Sequence, residues 1–289
     1  MDAASIAVNR RRRRCKTDAI DVEGLLRTLM AWARGERRVC SMVRPPSPDD
    51  ADRRCLSRER EALVKERIQH TNRIKGLLAA QGITDFEPLR PGHRARLDGL
   101  TTGDGRALPP QLKEEIRRQL ARLDAVISDL KTVEAGRDAL LADDTVAVST
   151  GDGTPPPAAA ALSRLKGLGP EFVSILCLEL LFWSFNNRRE VAAYAGLTPS
   201  PFKSGSIDRE QGISKSGNPR LRKMMIQLAW MWIRYQSGSA ISRWFAAFVG
   251  TRRGRIRRIA IVAVARKLLI ALWRFATQGI VPEGAALKS

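Results

Sequence analysis

Residues 112–130 read LKEEIRRQLARLDAVISDL, and the spacing of their apolar side chains decides the fold. Leu112, Ile116, Leu120, Leu123, Ile127 and Leu130 step by fours and threes, the seam of a long helix that opens at Pro109-Pro110. Upstream, residues 49–80 form a second long, charged helical pattern. In it Leu56, Leu63, Ile68, Ile74, Leu77 and Leu78 fall near one face. The breaker Pro45-Pro46-Ser47-Pro48 precedes it and Gly82 closes it, while residues 83–108, rich in Gly and Pro, read as a loop. Two long helices joined by a loop predict an antiparallel coiled-coil hairpin over 45–148. It serves either as an intramolecular spacer or as a dimerisation arm, since heptad seams often associate.

Working outward, residues 149–161 read as a linker, with Gly151-Asp152-Gly153 followed by three prolines. Beyond them the chain turns apolar and basic, and residues 162–289 read as an all-helical domain. Two helix patterns flank Gly167-Leu168-Gly169, a short helix covers 188–195, and a Gly/Ser/Pro-rich loop covers 197–217. Asn218-Pro219 opens a helix that runs to about Tyr235, because a capping side chain followed by Pro at the first helical position is a strong start signal. Two more helices follow near 239–249 and 254–277. At the other end, residues 2–8, DAASIAV, read as a short buried strand. A basic run, Arg10–Arg14, and a helix capped by Thr17 or Asp18 follow, with Val22, Leu25, Leu26 and Leu29 as its apolar residues. Strand, loop and helix make a fragment of an α/β domain over 1–44, too little for a whole one. The expected fold class is therefore mainly α.

The chain has 289 residues, 44% of them hydrophobic, enough to bury a core. Lys and Arg number 50 against 30 Asp and Glu, a formal charge of +20, which points to a polyanionic partner, nucleic acid before a membrane surface. The four cysteines form no C-x-x-C pair and there are only two histidines, so a zinc site is not expected and a reducing cytoplasm is. Neither a secretory signal nor a run of membrane-spanning length is visible, so a soluble protein is expected.

Four constellations could carry chemistry. Gly167 and Gly169, in Leu165-Lys166-Gly167-Leu168-Gly169-Pro170, suit a helix-hairpin-helix turn that lets the backbone approach a DNA phosphate; an ordinary tight helix connection reads the same way. The loop at 196–217 sets serines among Lys203, Lys215 and glycines, and then opens a helix bearing Arg220, Arg222 and Lys223. A serine there could attack a phosphodiester while cationic neighbours stabilise its alkoxide and neutralise the phosphate. A flexible solvated loop is the plainer alternative. With no histidine in this half, a Ser-His-Asp arrangement is excluded. Asp18 and Asp21 share a helix face and could hold a divalent metal, although acidic pairs at helix starts more often serve the dipole. Finally, Arg255 and Arg258 belong to a basic stretch over 251–274 that contains no acid and is interleaved with apolar residues, a face able to follow a phosphate backbone.

Taken together, KTDAID at 16–21, LKGLGPEF at 165–172, VAAYAGLTP at 191–199, and KSG at 203–205 with GISKSGNPRLRKM at 212–224 resemble the IS-one-ten family of insertion-sequence transposases. The resemblance covers nearly the whole chain and keeps the family's order. It implies a RuvC-like (RNase H-like) α/β domain with four acids, a coiled coil, and a helical transposase domain with a catalytic serine. It implies DNA cutting and rejoining with bound Mg2+, a guide RNA transcribed from the element, and homo-oligomers acting on double-stranded DNA in a bacterial, nucleoid-associated setting. Asp18 and Asp21 match the last two acids and Ser204 the serine of the family's S-G element, with Ser206 and Ser200 as alternatives in that register. The family's first two acids precede KTDAID, whereas here only Asp2 does. Residues 1–44 are therefore expected to be the C-terminal remnant of the RuvC-like domain, with an incomplete metal site. A non-catalytic DNA- or RNA-binding remnant acting as a repressor is the alternative.

Overall fold

The computed structural model describes residues 5–6, 17–40, 42, 47–146, 158–204 and 207–288, with the backbone alone for 143–146 and 201–211. The chain divides into two compact units, Met1–Asp49 and Asp50–Ser289. In the first, helix α1 spans Asp18–Ala33 and is capped by Thr17, whose hydroxyl accepts from the Ile20 N–H at 3.4 Å. Asp18 and Asp21 stand in its first turn, where carboxylates complement the helix dipole. Val22, Leu25, Leu26 and Leu29 are exposed. The strand expected at 2–8 lies outside the described residues except for Ser5 and Ile6, which form a turn and a bend.

The second unit begins within α2 (Pro48–Ala79), which is joined through α3 (His93–Asp98) to α4 (Pro110–Val146). Arg73 pairs with Glu115 at 2.8 Å, His70 with Gln119 at 2.7 Å and Arg60 with Glu134 at 2.7 Å, so the two long helices run antiparallel. Ile116, Leu120 and Leu123 are fully buried against Ile74 and Leu78, and this seam closes on the chain itself. Ile68 departs from the expected face and is 51% exposed. It lies off the helix face through which His70 and Ile74 meet α4. The connection expected to be a plain loop instead contains α3. Its Leu97, with Phe86 and Leu108, plugs the open end of the helix pair. Gly82 adopts φ +76° there, where its Cβ would meet the Gly103 backbone at 3.1 Å.

The remaining core is built from α5 (Ala158–Ser163), α6 (Pro170–Leu176) with a π-turn over Cys177–Leu181, α7 (Arg188–Tyr194), α8 (Pro219–Tyr235), α9 (Ala240–Val249) and α10 (Arg255–Gln278). Residues 158–161, expected to be linker, belong to α5, and Ala159 and Ala161 are buried; 149–157 lie outside the described residues. The starts of α7, α8 and α9 are fixed by capping side chains, Asn187, Asn218 and Ser239. Asn218 accepts from the Arg220 and Leu221 N–H groups, and Ser239 accepts from Ser242 N–H. Ser239 also accepts from the buried Trp232 indole at 2.9 Å, which satisfies the polar atom of a large core ring. Not everything in this half is helical. Strands β1 (Pro199–Ser204) and β2 (Ile207–Ile213) form an antiparallel hairpin where a loop was expected. Among the described residues, no helix is long and apolar enough to cross a membrane.

Candidate functional site

The β1–β2 hairpin stands on a narrow base. Asn218 N–H donates to Tyr194 O at 2.7 Å, Lys215 N–H to Gly196 O at 3.2 Å and Ser214 N–H to Thr198 O at 2.8 Å. These bonds lash the exit of the hairpin to the end of α7. The crossing is so close that glycine is required. Gly217 has φ +100°, and its Cβ would overlap Tyr194 O, with Ala193 O at 2.9 Å; Gly196 (φ +64°) would overlap Ser216 O. Lys215 takes φ +57° without being glycine, a left-handed backbone held in place by the bonds on either side. Arg222 completes the base by donating to Lys215 O at 2.9 Å and Ala195 O at 3.3 Å.

From this base β1 carries the serine outward. Ser204 is its last residue, opposite Ile207, and Lys203 is opposite Asp208. Ser200 sits at the irregularity between Pro199 and Pro201, close to the base and half-buried. Ser206 and Gly205 lie outside the described residues. At ~3.3 Å per residue, Ser204 stands about 17 Å from Pro199.

Beneath the hairpin lies a polar cluster centred on Glu179. This acid is 5% exposed and sits on the π-turn. Asn218 donates its side-chain amide to Glu179 at 2.9 Å while its carbonyl caps α8, so one residue joins the hairpin exit, α8 and the π-turn. Arg220 lies 3.7 Å from Glu179 and 3.3 Å from Glu61, and its guanidinium also donates to the Ser57 hydroxyl at 2.8 Å and to the Ser57 carbonyl. Arg58 reaches Glu179 at 3.9 Å. Lys223 pairs with Glu61 at 2.8 Å, and this hydrogen bond holds the Glu61 carboxyl below its ordinary pKa. Burial pushes the neighbouring Tyr194 phenol up. A π-turn frees backbone carbonyls that a regular helix would pair; Leu178 O accepts from Arg54 Nε at 2.8 Å.

The expected residues thus fall into distinct surroundings. Arg220 and Arg222 are committed to interactions within the chain, whereas Lys215, Arg255 and Arg258 are exposed and Lys223 is 64% exposed beside Glu61. Gly167 and Gly169 form a turn held by the C-terminal residues. Gln236 donates to Lys166 O and Ala286 O, both at 2.8 Å, and Lys288 donates to Leu168 O at 2.9 Å. A Cβ on Gly167 would meet Tyr235 Cβ at 3.0 Å, so the glycine serves helix packing. Asp18 and Asp21 belong to the first unit, both exposed. They offer hard oxygens of the kind magnesium takes, but no set of three potential metal-ligating side chains occurs among the described residues. Sequence reasoning missed Glu179. Its only signal was an acid interrupting the apolar run 173–185.

Comparison with known proteins places this geometry in a lineage. Residues 159–244, which contain Glu179, the hairpin and α8, match the transposase family IS116/IS110/IS902. An inferred transposase of Sinorhizobium fredii (strain NBRC 101917 / NGR234), y4rJ, is 52% identical over 290 residues, covering 100% of this chain and 73% of that protein. The transposase for insertion sequence element IS1328 of Yersinia enterocolitica is 27% identical over 275 residues, 92% of this chain and 73% of its own length. The transposase for IS1111A of Coxiella burnetii is 27% identical over 244 residues, 82% of this chain and 61% of its own length. With a relative this similar aligned along the whole of this chain, and the family's match centred on the hairpin and its supports, the chain belongs to the IS116/IS110/IS902 family of insertion-sequence transposases.

Proposed function

We propose that the chain cuts and rejoins DNA through Ser204. The observation that carries this reading is the hairpin itself: the serine ends a strand whose two roots are locked by the Gly196–Gly217 crossing. A nucleophile needs that fixed placement. The Ser204 oxygen forms a bond to phosphorus, a DNA oxygen leaves and takes a proton, and a DNA hydroxyl later reverses the exchange on a new strand. Lys203 and Lys215 neutralise the phosphate during the exchange. Arg255 and Arg258 hold flanking phosphates, and the backbone of the Gly167–Gly169 turn approaches another.

Asp18 and Asp21 would supply two oxygen ligands to Mg2+, which when bound neutralises phosphate charge. A guide RNA belongs to the same reading through the resemblance of the motifs. Homo-oligomers, which two DNA partners call for, would associate through surfaces other than the closed Leu120 seam.

The test is covalency. With DNA of the element's ends, the protein yields an adduct that survives denaturant, and Ser204→Ala yields none. An adduct that persists in Ser204→Ala moves the nucleophile to Ser206 or Ser200. Binding without any adduct, dissolved by salt, leaves the non-catalytic alternative.

A further inference from the structure

Away from the hairpin, the space between α8, α9 and the start of α10 is a groove of about 510 Å³. That volume falls within the ~300–1,000 Å³ range of small-ligand sites. Ile233, Phe245 and Val249 line its apolar part, and Arg252, Arg253 and Arg257 line its exposed rim. Trp230 stands beside it, 37% exposed, with its ring edge-to-face against Phe245 at 6.4 Å and the Arg257 guanidinium 5.2 Å from its centroid.

The electrostatics of this groove are unbalanced. Arg252, Arg253, Arg255, Arg257 and Arg258 crowd the first turn of α10 and the residues before it, with no acid in that turn. None of the five makes an ion pair among the described residues. A helix start already carries partial positive charge, so cations gathered there are unfavourable until an anion arrives.

We propose that this groove holds an unpaired strand of DNA, with a base stacked at Trp230 and phosphates on Arg252, Arg253 and Arg257. A double helix presents phosphates but hides its base faces, so the arginines alone would serve it and the exposed indole would gain nothing. An unpaired strand offers both flat apolar faces and phosphates, matching an aromatic wall with a cationic rim. The inference rests on the strand-exchange reading, because a cut strand that is rejoined to a new partner must first leave its old pairing.

Fluorescence anisotropy on the full chain tests it, using one oligonucleotide sequence as unpaired DNA, duplex DNA and unpaired RNA across a salt series. Trp230→Ala should weaken unpaired DNA binding by about 5- to 150-fold, the range for loss of one stacked base, and duplex binding by less than about twofold. Trp230→Phe, which keeps a ring, should restore most of the affinity and guards against misfolding. Changing Arg252, Arg253 and Arg257 together to Gln should lower the slope of log K against log salt by about 2, at ~0.7 per phosphate. Unchanged affinity in Trp230→Ala, an equal loss on duplex, or a loss confined to RNA would each overturn the proposal. Ser204→Ala should bind unpaired DNA as the parent does. If that variant keeps its covalent adduct while the groove variants behave as expected, the serine assignment fails and the groove stands.

Discussion

Replacing Gly217 with Ala should loosen the hairpin from its base, and the size of the effect follows from the crossing geometry. The backbone at Gly217 has φ +100°, which disfavours any side chain by about 1–2 kcal/mol. The added Cβ would also lie 2.9 Å from both Ala193 O and Tyr194 C, inside the 3.0 Å that real Cβ atoms essentially never breach, and nearer still to Tyr194 O. Those are backbone atoms and cannot swing aside as a side-chain tip would. Relieving the overlap means shifting the end of α7, at about 1–3 kcal/mol. It also loosens the 2.7 Å bond from Asn218 N–H to Tyr194 O, worth about 1 kcal/mol. The total is about 3–6 kcal/mol.

Gly212→Ala is the control. Its φ is +94°, nearly the same, but nothing lies within 4 Å of the added atom, so only the conformational part remains. Urea and thermal unfolding followed by circular dichroism should separate the two variants by about 2–4 kcal/mol, or about 5–15 °C for a unit of this size. Limited proteolysis should cut the hairpin of Gly217→Ala first. Equal destabilisation of the two variants would falsify the overlap as the cause.

Arg220→Gln removes a guanidinium shared by Glu179, Glu61 and Ser57. It should cost about 2–3 kcal/mol, less than the ~3–5 of an isolated buried pair because Arg58 and Asn218 stay on Glu179. Its salt slope on DNA should hardly move; a slope lowered by about 1 with an unchanged melting point would make Arg220 a phosphate ligand instead. Leu120→Ala, at a fully buried seam position, should cost about 3–5 kcal/mol in chemical unfolding, and a loss under about 1 kcal/mol would mean that the seam is not packed as described. The lowered pKa of Glu61 makes its contribution to stability full above the usual carboxylate value of 4.5 and lost as pH falls through the depressed value. Glu61→Gln should therefore flatten the acid limb of a pH–stability profile, and an unaltered limb would show the ion pair to be inert.

Much of the helical framework was legible because its signals are local. Asn218-Pro219 and Ser239 mark helix starts by their own hydrogen bonds, and the Leu112–Leu130 seam marks its helix by period. The hairpin was not legible. PSPFKSGSIDREQGI, with two prolines and no steady alternation, lacks strand character, and its ladder depends on a base fixed by Tyr194 and Gly196 from elsewhere in the chain. The π-turn and the Glu179 cluster were hidden for the same reason. Arg220 reads as one more basic residue until α2, about 160 positions away, brings Ser57 and Glu61 to it. Lys203 and Ser204 were singled out by motif likeness alone; that they end a strand rooted at the Gly196–Gly217 crossing is visible only in the fold.

Because the crossing at Gly196 and Gly217 tolerates no added atom while the strands beyond the irregularity at Ser200 pair in a regular antiparallel register, the hairpin is a ruler with a fixed zero. Lengthening β1 and β2 by one residue each would carry Ser204 outward by ~3.3 Å and turn it to the opposite face. Two residues each would restore the face at nearly twice that reach. The reach of Ser204, and with it the depth at which the proposed attack on DNA would occur, can therefore be graded in steps without disturbing the core that holds the hairpin.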